Sequence, residues 1–108
     1  MWLFLSNGAL SIVADRDNPQ NLLVRARMAA HIEAVFPSAM VFQNAESDYQ
    51  YRALIKRKTV SSAVAKQLEG LDYDNFKSSV HEPRYHHACM EVWRVMYRLQ
   101  GKAKQPYA

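Results

Sequence analysis

Leu22-Leu23-Val24-Arg25-Ala26-Arg27 admits two readings, and the choice between them decides the fold. As a strand, the stretch turns Leu22, Val24 and Ala26 to one side and Leu23, Arg25 and Arg27 to the other. As the opening of a helix, it takes Asn18 as N-cap and Pro19 at the first helical position. The strand is preferred, because its alternation keeps both arginines off the core. A helix then starts near Met28, where Met28, Ile32, Val35 and Phe36 form one apolar stripe before Pro37.

Toward the N-terminus, Asn7-Gly8 separates the apolar runs Trp2–Leu5 and Leu10–Val13. An Asn-Gly pair suits the positive φ angles of a type I′ turn, so a hairpin is expected there. Both faces of its strands are apolar, as for strands covered on two sides. Residues 15–21 are dense in turn formers and separate the hairpin from the Leu22 strand.

Toward the C-terminus, Ala39–Gln43 reads as a strand and Asn44–Asp48 as a turn. Tyr49–Lys56 alternates again, with Tyr49, Tyr51, Ala53 and Ile55 on one side and Gln50, Arg52, Leu54 and Lys56 on the other. Thr59 is the expected N-cap of a helix whose stripe is Val60, Val64, Leu68 and Leu71. Residues 72–77 form a connector with a single helical turn. Pro83 opens a last helix, from about Arg84 to Gln100, that buries Tyr85, Cys89, Val92, Trp93, Met96 and Leu99. With Trp93 inside, Trp93→Ala is expected to cost about 3–5 kcal/mol.

The element order β-β-β-α-β-β-α-α implies an α+β fold: an antiparallel sheet of about five strands covered by three helices. The stretch from Leu22 to Leu71 is partly ferredoxin-like by analogy. Residues 1–100 are expected to form a single domain, and 101–108 a flexible basic tail.

The chain has 108 residues and a mean hydropathy of −0.33, with no apolar run long enough to span a membrane. The short apolar opening lacks the basic residues of a signal peptide. One cysteine, Cys89, excludes a disulfide framework, and the expected location is the cytoplasm. Charge is unevenly placed: residues 1–55 hold four Arg against five acids, and residues 56–108 hold ten basic side chains against five acids. Such a basic half favours anionic partners, although a solvated face explains it equally well.

Four blocks, Leu22–Arg27, Asp48-Tyr49-Gln50-Tyr51-Arg52, Asp72-Tyr73-Asp74-Asn75-Phe76-Lys77 and Val92–Tyr97, resemble a family of small uncharacterised bacterial and phage-borne proteins. The resemblance spans the chain to about Gln100, with Asp72–Lys77 its most specific part. It implies a single cytosolic domain and carries no activity. A phage setting makes sequestration of a host protein or host signal plausible.

Four kinds of chemistry can be weighed. Arg25, Arg27 and Arg52 leave the sheet on its non-core side, and guanidinium forks suit phosphate or carboxylate. Tyr49, Tyr51 or Tyr73 could stack on a ligand ring, while Asn75 and Lys77 supply further donors. The expected ligand-binding set is therefore Arg25, Arg27, Arg52, Tyr49, Tyr73, Asn75 and Lys77. The competing reading pairs the arginines with Asp48, Asp72 and Asp74. His81, His86, His87 and Cys89 cluster, but no zinc motif completes them, so no metal site is assigned. No nucleophile elbow or carboxylate pair identifies catalytic residues, and no cofactor motif occurs. Lys56-Arg57-Lys58 and later lysines offer nucleic acid only charge, so nucleic acid is the less favoured partner. The expectation is a non-catalytic binder of a small anionic ligand, such as a nucleotide or nucleotide-derived signal, acting as a homodimer. The alternative is a protein or nucleic-acid interaction module.

Overall fold

The structure, a computed structural model, describes residues 1–101, so the expected tail at 102–108 lies outside the described residues. The chain divides into two compact units, Met1–Asp72 and the residues from Tyr73 onward.

The first unit holds β1 (Trp2–Leu5), β2 (Gly8–Ala14), β3 (Asn21–Ala26), α1 (Ala29–Glu33), β4 (Phe42–Gln43), β5 (Tyr51–Lys56) and α2 (Arg57–Glu69). Residues 21–26 are thus a strand. The sheet order is β1-β2-β3-β5-β4, with every neighbouring pair antiparallel. Since β3 and β4 both run opposite to β5, they are parallel to each other, with β5 inserted between them. That split β-α-β arrangement is the ferredoxin-like part of the fold. The other side of β3 is occupied by β2, which precedes it in the chain.

The register assigns the faces. Ile12 lies opposite Val24, and Val24 opposite Ala53, so the three share one side. Leu10, Ala26 and Ile55 join them, and Ile32, Phe36 and Val60 close the core from the helical layer. α1 packs on β2, β3 and β5, and α2 on β3 and β5. Alternation in the strands thus produces an α+β fold with helices on one sheet face.

Several boundaries differ from expectation for identifiable reasons. The hairpin turn is at Ser6-Asn7, one residue earlier than Asn7-Gly8, because Gly8 already pairs with Leu5. Its φ angles are negative, so it is not a type I′ turn. Trp2 and Phe4 are exposed, so on the second face the outer strand β1 lacks the expected cover, whereas Ser11 of β2 on that face is buried. β4 keeps only two of the five residues expected. Tyr49 precedes β5, because its N–H bonds the Asp48 carboxylate and the Asn44 N–H bonds Gln50 O, closing a turn. α2 starts two residues before Thr59: β5 runs straight into it, and Lys56 is both the last strand residue and the N-cap.

The second unit holds α3 (Phe76–Ser79) and α4 (Pro83–Leu99). Asn75 caps α3 by accepting from the Ser78 N–H at 3.2 Å. Glu82 caps α4, its carboxylate accepting from the N–H groups of Arg84 and Tyr85, and Pro83 occupies the first turn. Tyr85 and Cys89 are buried, as the apolar stripe predicts. Val92, Trp93, Met96 and Leu99 are not: every residue from 91 to 100 is exposed, Trp93 by 46%. Within this unit α3 is one turn long, too short to cover a helix of 17 residues. No helix among the described residues is long and apolar enough to cross a membrane.

Candidate functional site

In an antiparallel sheet, residues directly opposite one another project from the same face. The four pairings therefore set Trp2, Ser11, Arg25, Arg52 and Phe42 in one row, one residue per strand, on the face away from α1 and α2. Arg25 and Arg52 are immediate cross-strand neighbours at its centre. Arg27 follows two residues after Arg25, just past the end of β3.

Tyr49 is the hub of this cluster. Its ring is buried beneath two guanidinium groups, with Arg25 Cζ 4.7 Å and Arg27 Cζ 4.2 Å from the ring centroid. Its carbonyl accepts from Arg52 Nε at 3.2 Å. The negative π-face of a phenol ring attracts cations, which lets the one ring hold two like charges. Ser11 Oγ accepts from Arg25 Nη2 at 2.7 Å, and Ser47 Oγ from Arg52 Nη2 at 2.5 Å. The three arginines are thus aimed and partly anchored by neutral groups.

Neutralisation is incomplete. The Asp48 carboxylate stands 3.6 Å from Arg52 Nη2, and its side chain is 73% exposed. Among the described residues Arg25 and Arg27 join no ion pair, and neither do Asp72 and Asp74. The expected acidic pairing thus exists for Arg52 alone. Arg25 Nε is buried and has no hydrogen-bond acceptor. A buried donor left unpaired costs roughly 1–3 kcal/mol, more when charged, which marks it as a place where an acceptor is wanted.

The remaining expected ligand residues belong to the second unit, and each has a partner there. Tyr73 packs at a tilt against Phe76, ring centroids 6.0 Å apart. The Asn75 side chain caps α3, and Lys77 Nζ sits 4.1 Å over the Trp93 ring, which stacks on Tyr97. Tyr51 turns to the helix-covered face and packs against the core. Ser11 and Ser47 escaped the sequence reading. Ser11 had a visible signal, a lone polar residue between Leu10 and Ile12 on the side that Arg25 faces.

Elsewhere, His86 Nδ1 lies 3.2 Å from the Val80 carbonyl. Cys89 is buried, and burial pushes its thiol pKa up while a hydrogen bond with Tyr85 acts in the opposite sense. Such a thiol is a poor nucleophile at neutral pH. No group of three His, Cys, Asp or Glu among the described residues is placed to hold a metal. A groove of about 440 Å³ runs along α2, lined by Val35, Lys58, Thr59, Ser62, Lys66 and Gln67. Comparison with protein-family models, with curated proteins and with solved structures finds no match to this chain.

Proposed function

We propose that this protein binds a small anionic ligand, a nucleotide or nucleotide-derived signal, at the arginine cluster on the sheet face away from α1 and α2, without catalysing a reaction. The observation that carries the reading is the buried, acceptor-less Nε of Arg25 within a cluster of three guanidinium groups and one exposed carboxylate. Phosphate oxygens accept from guanidinium forks in bidentate geometry, and they supply the charge that the cluster lacks. Tyr49 pre-orders the arginines, which lowers the entropic cost of engaging a ligand. The setting we infer is cytoplasmic, with the protein acting as a homodimer and, in a phage context, sequestering a host signal. A second reading, a module that docks on a host protein, is favoured by the exposed C-terminal half of α4.

A thermal-shift panel of pyrophosphate, nucleotides and cyclic nucleotides tests the proposal. Wild type should be stabilised by at least one phosphate compound, and Arg25→Ala should lose most of that shift while keeping its fold. Losing one charged hydrogen bond should weaken binding by about 1.5–3 kcal/mol, roughly 10- to 150-fold in Kd. Lys58→Ala/Lys66→Ala serves as the control: loss of binding there, with Arg25→Ala unaffected, would move the ligand to the α2 groove. No response to any phosphate compound would end the ligand reading.

A further inference from the structure

The apolar stripe of α4 does not stop where its burial stops. Tyr85, Ala88, Val92, Val95 and Leu99 follow one another at alternating intervals of three and four residues, the spacing of a coiled-coil seam. The first of them is buried, while Ala88, Val92, Val95 and Leu99 are exposed. On the neighbouring aromatic side Lys77 lies over Trp93 and Trp93 stacks on Tyr97, although both rings stay partly exposed. The seam proper is open over 12 residues, roughly 18 Å at 1.5 Å per residue.

We propose that this seam pairs with its own copy, antiparallel, across a two-fold axis. This surface rests on the homodimer proposed for the protein and is independent of the anion site. The flanking charges select both partner and direction. Glu91 and Arg98 stand seven residues apart, so both occupy the same edge of the seam, each one position before a core residue. In an antiparallel pair that edge faces itself, so when Val92 meets Val95 of the second copy, Glu91 meets Arg98 of the second copy. The two-fold repeats the contact, giving two ion pairs from one sequence. On the other edge Met96 is exposed and apolar, so no charge opposes the pairing there. A parallel pair would set Glu91 beside Met96 and leave Arg98 without an acid. Within its own chain Glu91 also pairs with Arg94, a contact that Arg98 of the second copy would share or exchange in the dimer. A seam this short falls below the roughly 1,200 Å² typical of stable interfaces, so the dimer should be weak and concentration-dependent.

Sedimentation velocity of the full chain over about 5–500 µM, the range in which such weak pairs dissociate, provides the test. Wild type should move from monomer to dimer within that range. Val95→Glu, at an exposed position, should weaken association at least tenfold with an unchanged melting curve. Glu91→Arg should weaken it, and Glu91→Arg/Arg98→Glu should restore it, because the swapped charges meet again only in the antiparallel pair. A wild type that stays monomeric, including one that binds anionic vesicles or a different protein instead, overturns both this surface and the homodimer. A dimer unchanged by Val95→Glu overturns this surface and leaves the homodimer standing. Failure of the double variant to restore association overturns the antiparallel pairing. None of these results touches phosphate binding through Arg25, which is read separately by thermal shift.

Discussion

Gly8 owes its place to His31 rather than to a turn. A Cβ built at residue 8 lies 2.6 Å from His31 Cγ, 2.8 Å from its Cβ and 2.9 Å from its Cα, and the last of these is backbone. The close approach lets His31 Nδ1 accept the Ala9 N–H at 3.2 Å, fastening α1 to the start of β2. Gly8→Ala should therefore destabilise by about 1–3 kcal/mol, the cost of overpacking, as read from urea midpoints. His31→Ala in the same chain should recover only part of the loss, because its Cβ and Cα remain in the way. Cys89 makes a different residue-scale prediction. Its thiol pKa is raised on folding, so the stabilisation from a neutral buried thiol is complete below the ordinary thiol pKa, about 8.5. It is lost as pH climbs from there through the raised value. Denaturation midpoints should consequently fall more steeply above pH 8.5 in wild type than in Cys89→Ala, and native thiol labelling should be slow. Equal slopes in the two proteins would contradict the buried, neutral thiol.

At the scale of elements, α1 is too short to persist by helix propensity alone. It survives because Ile32, with no exposed surface, is sunk between α1 and the sheet. Ile32→Ala should cost about 2–5 kcal/mol in chemical denaturation, whereas Trp93→Ala should cost about 1 kcal/mol or less, given its exposure. The reversed order of those two costs would mean that α4 is covered where the structure leaves it open. The contrast shows what sequence conveys. Period-two alternation in 22–26 and 51–56 identified the strands and their faces, and with them the side on which Arg25 and Arg52 emerge. An apolar stripe, by contrast, reports that a helix face wants cover without reporting who supplies it. The stripe from Tyr85 to Leu99 therefore promised burial along its whole length, and only its first half has it. Tyr49 illustrates the other limit: its part beneath two arginines depends on a turn at residues 44–50, whose geometry no periodicity encodes. Residue type alone groups Tyr73, Asn75 and Lys77 with the arginines, and each of the three has a local partner in α3 or α4.

At the scale of the whole molecule, the first unit is a one-sided sandwich, with helices on one sheet face and an arginine-bearing row on the other. That asymmetry implies a salt response specific to the anion. At matched ionic strength, pyrophosphate should raise the melting temperature more than chloride does, and Arg25→Ala/Arg52→Ala should abolish the difference. An identical response to both salts would mean that the cluster senses only screening. The join between β5 and α2 bears on the whole unit in another way. No loop residue separates strand from helix, and Arg57 at the join also ties back to the β2–β3 loop, its N–H bonding Gln20 O and its Nε bonding Pro19 O. The junction has no slack. Adding a single residue between Lys56 and Arg57 would turn α2 by about 100° about its axis, rotating Val60 out of the core. The same insertion among residues 15–20 has a surface loop to absorb it. Tolerance to changes of chain length should thus be sharply uneven along this unit, lowest at the one joint where a strand is geared directly to a helix.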